Sequence, residues 1–119
     1  MRCKVLILGA YGMLGHKVLS RFLDSDYKIL CQTRSKNKKT MLIKKLGIKK
    51  RIDYVIYDVE KDNFQKLENK LKNGDIIINC IGKIKPYIKD DNNAQIKRAI
   101  KINSIFPIQL SDLSRRKKI

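Results

Sequence analysis

The chain has 119 residues, of which 28 are Lys or Arg and 11 are Asp or Glu, so its net charge is +17. That length holds one domain with one core, and it is short for an enzyme that closes a site over two substrates. A hydrophobic fraction of 43%, gathered in compact Ile, Leu and Val runs, excludes disorder throughout, while the charge raises a nucleic-acid or anionic-membrane reading.

From the N-terminus, Cys3 to Leu8 reads C-K-V-L-I-L, apolar nearly throughout, as in a strand buried on both faces of a parallel sheet. Gly9-Ala10-Tyr11-Gly12 makes a turn. Leu14, Val18, Leu19 and Phe22 then fall at helical spacing and predict a helix from Met13 to Asp24. Tyr27 to Thr33 reads as a second strand. Asn37 to Leu46 reads as a helix that Gly47 stops. Asp53 to Tyr57 is a third strand. Lys61 to Leu71 carries Phe64, Leu67 and Leu71 at helical spacing, closed by Asn73-Gly74. Asp75 to Ile81 is a fourth strand, apolar enough to be central. A loop from Gly82 to Asp90 contains Pro86. Asn92 to Ser114 then predicts a long helix disturbed near Pro107.

This alternation with short connections predicts an α/β fold: a Rossmann-type doubly wound parallel sheet in the strand order 3-2-1-4. No internal repeat, linker or low-complexity block interrupts it.

Cys3, Cys31 and Cys80 lie far apart, form no Cys-x-x-Cys or Cys/His cluster, and sit in or beside apolar runs. An odd count excludes a full disulfide framework, and the spacing argues against structural zinc. The N-terminus lacks a signal-peptide core, and no segment approaches the length of a membrane span. The expected location is the reducing cytoplasm.

Gly9, Gly12 and Gly15 form G-x-x-G-x-x-G between a strand and a helix. In that context the first glycine permits the tight turn and the second lets backbone approach a pyrophosphate. The third lets helix pack closely on sheet. The helix N-terminus then offers free N–H groups and a positive dipole end to phosphates.

The segment Leu8-Gly9-Ala10-Tyr11-Gly12-Met13-Leu14-Gly15-His16 resembles the opening of extended short-chain dehydrogenase/reductases. Within them it is similar to the dTDP-4-dehydrorhamnose reductase branch of sugar-nucleotide reductases, where G-M-L-G-H is typical. Asp58-Val59 resembles the family's adenine-contacting segment, and Ile78-Asn79-Cys80-Ile81-Gly82 its fourth-strand segment beside the cofactor. Ala99 to Pro107 resembles the following helix, with Asn103 at the family's helix asparagine. The matches run from Lys4 to about Leu113. The resemblance implies a nicotinamide dinucleotide as cofactor and a nucleotide sugar as substrate of the whole enzyme. It implies a cofactor site formed by Gly9, Tyr11, Gly12, Met13, Leu14, Gly15, Asp58, Val59, Cys80, Ile81, Gly82 and Asn103. Asn103 reads equally well as a residue of the helix bend.

The second strand ends Thr33-Arg34-Ser35, without the carboxylate that binds an NAD ribose 2′-hydroxyl. Arg34 is suited to pair with a 2′-phosphate and Ser35 to donate to it, which favours NADP over NAD, with NAD still possible. From Arg34 to Arg51 there are nine basic residues and no acidic one. A solvated lysine face is the plainer reading of that run. Arg34 is the one basic residue to which the sequence assigns a task.

In the family, hydride transfer relies on Tyr-x-x-x-Lys and a nearby Ser or Thr. The one such pair here, Tyr57 and Lys61, spans the end of the third strand and the start of the next helix, far from the nicotinamide end. No catalytic residue is therefore assigned, and His16 reads as helix-start packing. The family's pair lies beyond strand five, and the sequence ends first. The expectation is an incomplete NAD(P)-binding domain over residues 1–119, truncated before strand five and inactive alone. Its bare fourth strand is expected to make it marginally stable or to pair edge to edge with another copy. Alternatives are an epimerase or dehydratase fragment, a stand-alone NADP-binding regulator, and a small basic nucleic-acid-binding protein. Aromatics are only 7%, and no helix-turn-helix pattern accompanies the charge, so no nucleic-acid partner is assigned. No membrane partner is assigned either.

Overall fold

The computed structural model describes residues 3–47, 49, 51–83 and 88–119. Four strands, β1 (Lys4–Leu8), β2 (Lys28–Thr33), β3 (Ile52–Ile56) and β4 (Ile76–Asn79), form one parallel sheet in the order β3-β2-β1-β4. Val5 faces Ile29 on one side and Ile76 on the other, so β1, like β2, is an inner strand. The helices are α1 (Met13–Phe22), α2 (Lys36–Leu46), α3 (Phe64–Glu68), α4 (Asn93–Ile100) and α5 (Phe106–Lys117). The predicted topology is the observed one.

Alternation along β1 divides the core between the two faces of the sheet. Val5 and Ile7 pack with Ile29, Cys31, Leu19 and Leu42, beneath α1 and α2. Leu6 and Leu8 pack with Leu30, Leu67, Phe106 and Leu113, beneath α3 and α5. Residues 5–8 are all fully buried, which is why this strand reads as an unbroken apolar run. Each such Leu or Ile contributes about 1.5–3 kcal/mol by leaving water. Cys31 behaves as one of these hydrophobes, and burial pushes its thiol up to about 12.

Three departures from the sequence expectation have local causes. The helix expected over Lys61 to Leu71 shrinks to α3. Asp58 N–H donates to Asp62 at 2.7 Å and Asp62 N–H back to the Asp58 carbonyl at 2.8 Å, a turn that delays the helix until Asn63 caps it. The fourth strand starts after Asp75, whose buried carboxylate accepts the main-chain N–H groups of Lys4 and Lys72 instead of joining the ladder. The long C-terminal helix is interrupted over Lys101–Ile105, where one π-helical turn links α4 to α5. Pro107 sits in the first turn of α5 and has no N–H to give, so the wider turn accommodates a bond the α-ladder cannot make.

Several basic residues besides Arg34 also have tasks. The Arg51 guanidinium donates to the carbonyls of Leu23 and Ser25, closing the segment after α1. Lys117 donates to the carbonyls of Glu68 and Leu71. No helix is long and apolar enough to cross a membrane, and no cluster of three metal-ligating side chains occurs, among the described residues. The loop around Pro86 and Tyr87 lies outside those residues. Along β4, Ile76 is 37% exposed and the outer edge has no strand partner among the described residues. This strand is apolar enough to be central and stands at the sheet edge, as the order 3-2-1-4 predicts.

Candidate functional site

The carboxyl ends of the four parallel strands surround a cavity of about 360 Å³. Its floor is the turn between β1 and α1. Gly9 holds a left-handed backbone (φ +75°), and a Cβ there would sit 3.0 Å from the Cys80 main chain. Only glycine meets both demands. Gly12 N–H closes the turn onto the Gly9 carbonyl at 3.0 Å, and His16 N–H donates to the Gly12 carbonyl at 2.8 Å. Gly15 lies outside the cavity, pressed beneath the turn. A Cβ on it would fall 2.6 Å from the Gly9 carbonyl carbon and closer still to its oxygen. Met13 and Leu14, at the first turn of α1, are 88% and 62% exposed. Amides of a first helical turn have no partner within the helix, so this end of α1 is suited to an anion.

One residue that sequence reasoning passed over organises this floor. Gln32, at 2% exposure, accepts Gly9 N–H at 2.7 Å with its side-chain oxygen and donates to the Tyr57 carbonyl at 2.5 Å with its nitrogen. Its main-chain carbonyl also accepts Ala10 N–H at 3.2 Å. The glycine turn and the end of β3 are thereby tied to β2. Gln32→Leu is expected to leave both main-chain groups buried without partners, and to cost about 2–3 kcal/mol in urea denaturation. A variant as stable as the parent would show that the two bonds contribute nothing net.

At the rim, Arg34 follows β2 and reaches across to the segment after β3. Its Nε stands 3.4 Å from an Asp58 carboxylate oxygen, and a terminal nitrogen stands 3.9 Å from Glu60. Asp58 also accepts Glu60 N–H at 2.9 Å. Ser35 caps α2 by accepting Lys38 N–H at 3.2 Å, and does not line the cavity. Lys38, in the first turn of α2, does line it, and its ammonium lies 4.7 Å from the centre of the Tyr11 ring. Lys38 also went unassigned in the sequence, where it is one of nine basic residues read as a solvated face. Val59, Cys80, Ile81 and Gly82 complete the wall. Burial pushes the Cys80 thiol up.

Asn103 stands on the π turn, outside the cavity wall. Its side-chain oxygen accepts Lys83 N–H at 2.8 Å and its nitrogen donates to the Lys83 carbonyl at 2.9 Å. It thus fastens the loop after β4 to the helix. Of the fourteen residues singled out, nine line the cavity: Gly9, Tyr11, Gly12, Arg34, Asp58, Val59, Cys80, Ile81 and Gly82. Met13, Leu14, Gly15, Ser35 and Asn103 flank or support it. Tyr57, of the Tyr57/Lys61 pair, is buried in the core with its ring 6.1 Å from that of Phe106. Burial, then the Asp62 and Asp58 carboxylates, push its hydroxyl up.

Sheet order, glycine turn and the cavity at the strand ends define a Rossmann-type α/β domain. The chain belongs to the shikimate/quinate 5-dehydrogenase family, whose profile matches residues 1–114. No curated protein matches it. Among solved structures it is similar to Pen from Bacillus thuringiensis, with a TM-score of 0.83 and 19% identity over 99% of this chain and 35% of that one. It is also similar to an ElxO variant with NADPH bound, with a TM-score of 0.77 and 20% identity over 98% of this chain and 50% of that one. A short-chain dehydrogenase/reductase from Burkholderia multivorans with bound NADP gives a TM-score of 0.74 and 17% identity over 97% and 53%. At these identities the likeness is one of fold. The chain spans between a third and about half the length of these structures.

Proposed function

We propose that this chain is the dinucleotide-binding part of an NAD(P)-dependent oxidoreductase, occupying residues 1–119, and that it prefers NADP. The observation that carries this reading is the glycine-floored cavity with Arg34 at its rim. Gly9 and Gly12 line the cavity floor, and Gly12 opens the first turn of α1 there, which fits a pyrophosphate. Arg34, with Lys38 nearby, suits a 2′-phosphate, and Asp58 and Val59 suit the adenine end. Cys80, Ile81 and Gly82 lead from the turn toward the nicotinamide end. The nicotinamide, when bound, supplies or takes up hydride. This chain's residues bind and orient it, and Asn103 holds the adjoining loop in place. Two similar structures hold NADPH and NADP, which supports a nicotinamide dinucleotide as the cofactor.

The substrate reading is finer: reduction of a 4-keto sugar nucleotide by the whole protein in the cytoplasm. It rests on the Gly12-Met13-Leu14-Gly15-His16 run, the Asp58-Val59 pair and Asn103. The family match makes shikimate and quinate the competing substrates. No catalytic or substrate-binding group is assigned among residues 1–119. The outer edge of β4, which has no strand partner among the described residues, is the expected site of self-association.

The test is a fluorescence titration with NADPH and NADH; residues 1–119 alone are expected to turn over none of a dTDP-4-keto sugar, shikimate or quinate, and turnover of any of them would overturn the reading of this chain as a cofactor-binding part only. Arg34→Ala is expected to weaken NADPH about tenfold and NADH less than about twofold. Equal weakening of both would remove the 2′-phosphate assignment.

A further inference from the structure

We infer that Glu60 is a specificity-determining residue of this site, limiting the preference for a 2′-phosphorylated nucleotide by competing, beside Asp58, for Arg34. The inference rests on the cofactor reading above and deepens it. An arginine after β2 suggests a strong 2′-phosphate preference, but here its guanidinium is already engaged. Asp58 lies 3.4 Å from its Nε, and Glu60 lies 3.9 Å from a terminal nitrogen. A 2′-phosphate must share Arg34 with those carboxylates, and it meets like charge from Glu60. A free 2′-hydroxyl carries no charge, so it escapes that repulsion and can itself donate to a carboxylate.

Glu60 is held in place from the other side as well. Arg98, from α4, stands 4.0 Å from the same carboxylate oxygen that faces Arg34. Lys101, on the π turn, donates to the Glu60 main-chain carbonyl at 3.0 Å. The Glu60 side chain is 17% exposed and that of Arg34 62%, so the arginine is the partner free to turn toward a ligand. Asp58 also caps its own loop through Glu60 N–H, so replacing it would disturb the turn as well as the charge, and Glu60 is the acid to vary. Glu60→Gln removes the charge and keeps the shape. It also keeps the Lys101 contact, which is to main chain.

Binding of NADPH and NADH is to be measured for the parent, Glu60→Gln, Arg34→Ala and the double variant, with circular dichroism confirming the fold of each. Titration with 2′,5′-ADP and 5′-AMP repeats the comparison on the adenosine half alone. Glu60→Gln is expected to tighten NADPH and 2′,5′-ADP about three- to tenfold and to leave NADH and 5′-AMP within about twofold. With Arg34 replaced, that gain is expected to shrink to less than about twofold, because the competition has no object. An unchanged preference in Glu60→Gln overturns the inference and leaves the cofactor reading standing. A gain of equal size without Arg34 also overturns it, since Glu60 then acts by its field and not through Arg34. Failure of the parent to bind any of the four nucleotides overturns the cofactor reading and this inference together.

Discussion

Gly15→Ala is expected to destabilise the protein by about 3 kcal/mol or more, read as a lowered urea midpoint with an unchanged slope. The added methyl would meet the Gly9 carbonyl, 2.6 Å from its carbon. That obstacle is main chain, so no side-chain rotation relieves it. The turn must open, and with it go the bond from Gly12 N–H to the Gly9 carbonyl and the grip of Gln32 on Gly9 N–H. A domain of this size has about 6–18 kcal/mol in total, so the loss is a large share. Gly12→Ala is the contrast, because a Cβ there comes only to 3.4 Å from its nearest neighbour. Equal stability of the Gly15 and Gly12 variants would mean that the turn yields easily and that close packing is not the reason for the third glycine.

Phe106→Ala is expected to cost about 3–5 kcal/mol. Phe106 is fully buried at the junction of the π turn and α5, with the Tyr57 ring stacked at 6.1 Å and the Phe64 ring edge-on at the same distance. Removing it takes away the centre of a three-ring cluster that joins the end of β3, α3 and α5. Ile108→Ala, two residues along at 67% exposure, is expected to change stability by less than about 0.5 kcal/mol. Thermal and urea denaturation of both variants measure the difference. Comparable losses would place the helix differently on the sheet.

The sheet order was legible because each strand is a compact apolar run and each connection carries one helical stripe. Gly9, Gly12 and Gly15 were legible because a strand and a helix flank them. The extent of α3 was not. Phe64, Leu67 and Leu71 keep helical spacing, yet the turn from Asp58 to Asp62 and the Asn63 cap set the start, and Leu71 reaches the core from beyond the helix end. Gln32 was invisible for another reason. A glutamine in a buried strand reads as a lapse in the apolar pattern until the Gly9 N–H and the Tyr57 carbonyl are found on either side of it. The disturbance near Pro107 was expected, but its form as a π turn, and the hold of Asn103 on Lys83, depend on contacts twenty residues apart in the chain.

The inner position of β1 bears on the order in which the protein acquires its site. Its neighbours are β2, a short helix away in sequence, and β4, whose docking brings together Lys4 and Asp75 from positions 71 residues apart. The first pairing closes a short loop and is kinetically accessible. The second closes a long one and is slow by comparison. The cavity needs both, because its glycine floor leans on Cys80 at the end of β4. A chain caught with only β1 to β3 assembled would have α1, α2 and the half of the core beneath them, but no cavity. Capacity to hold a ligand there therefore marks the end of folding, and a ligand present early stabilises only molecules that have completed it.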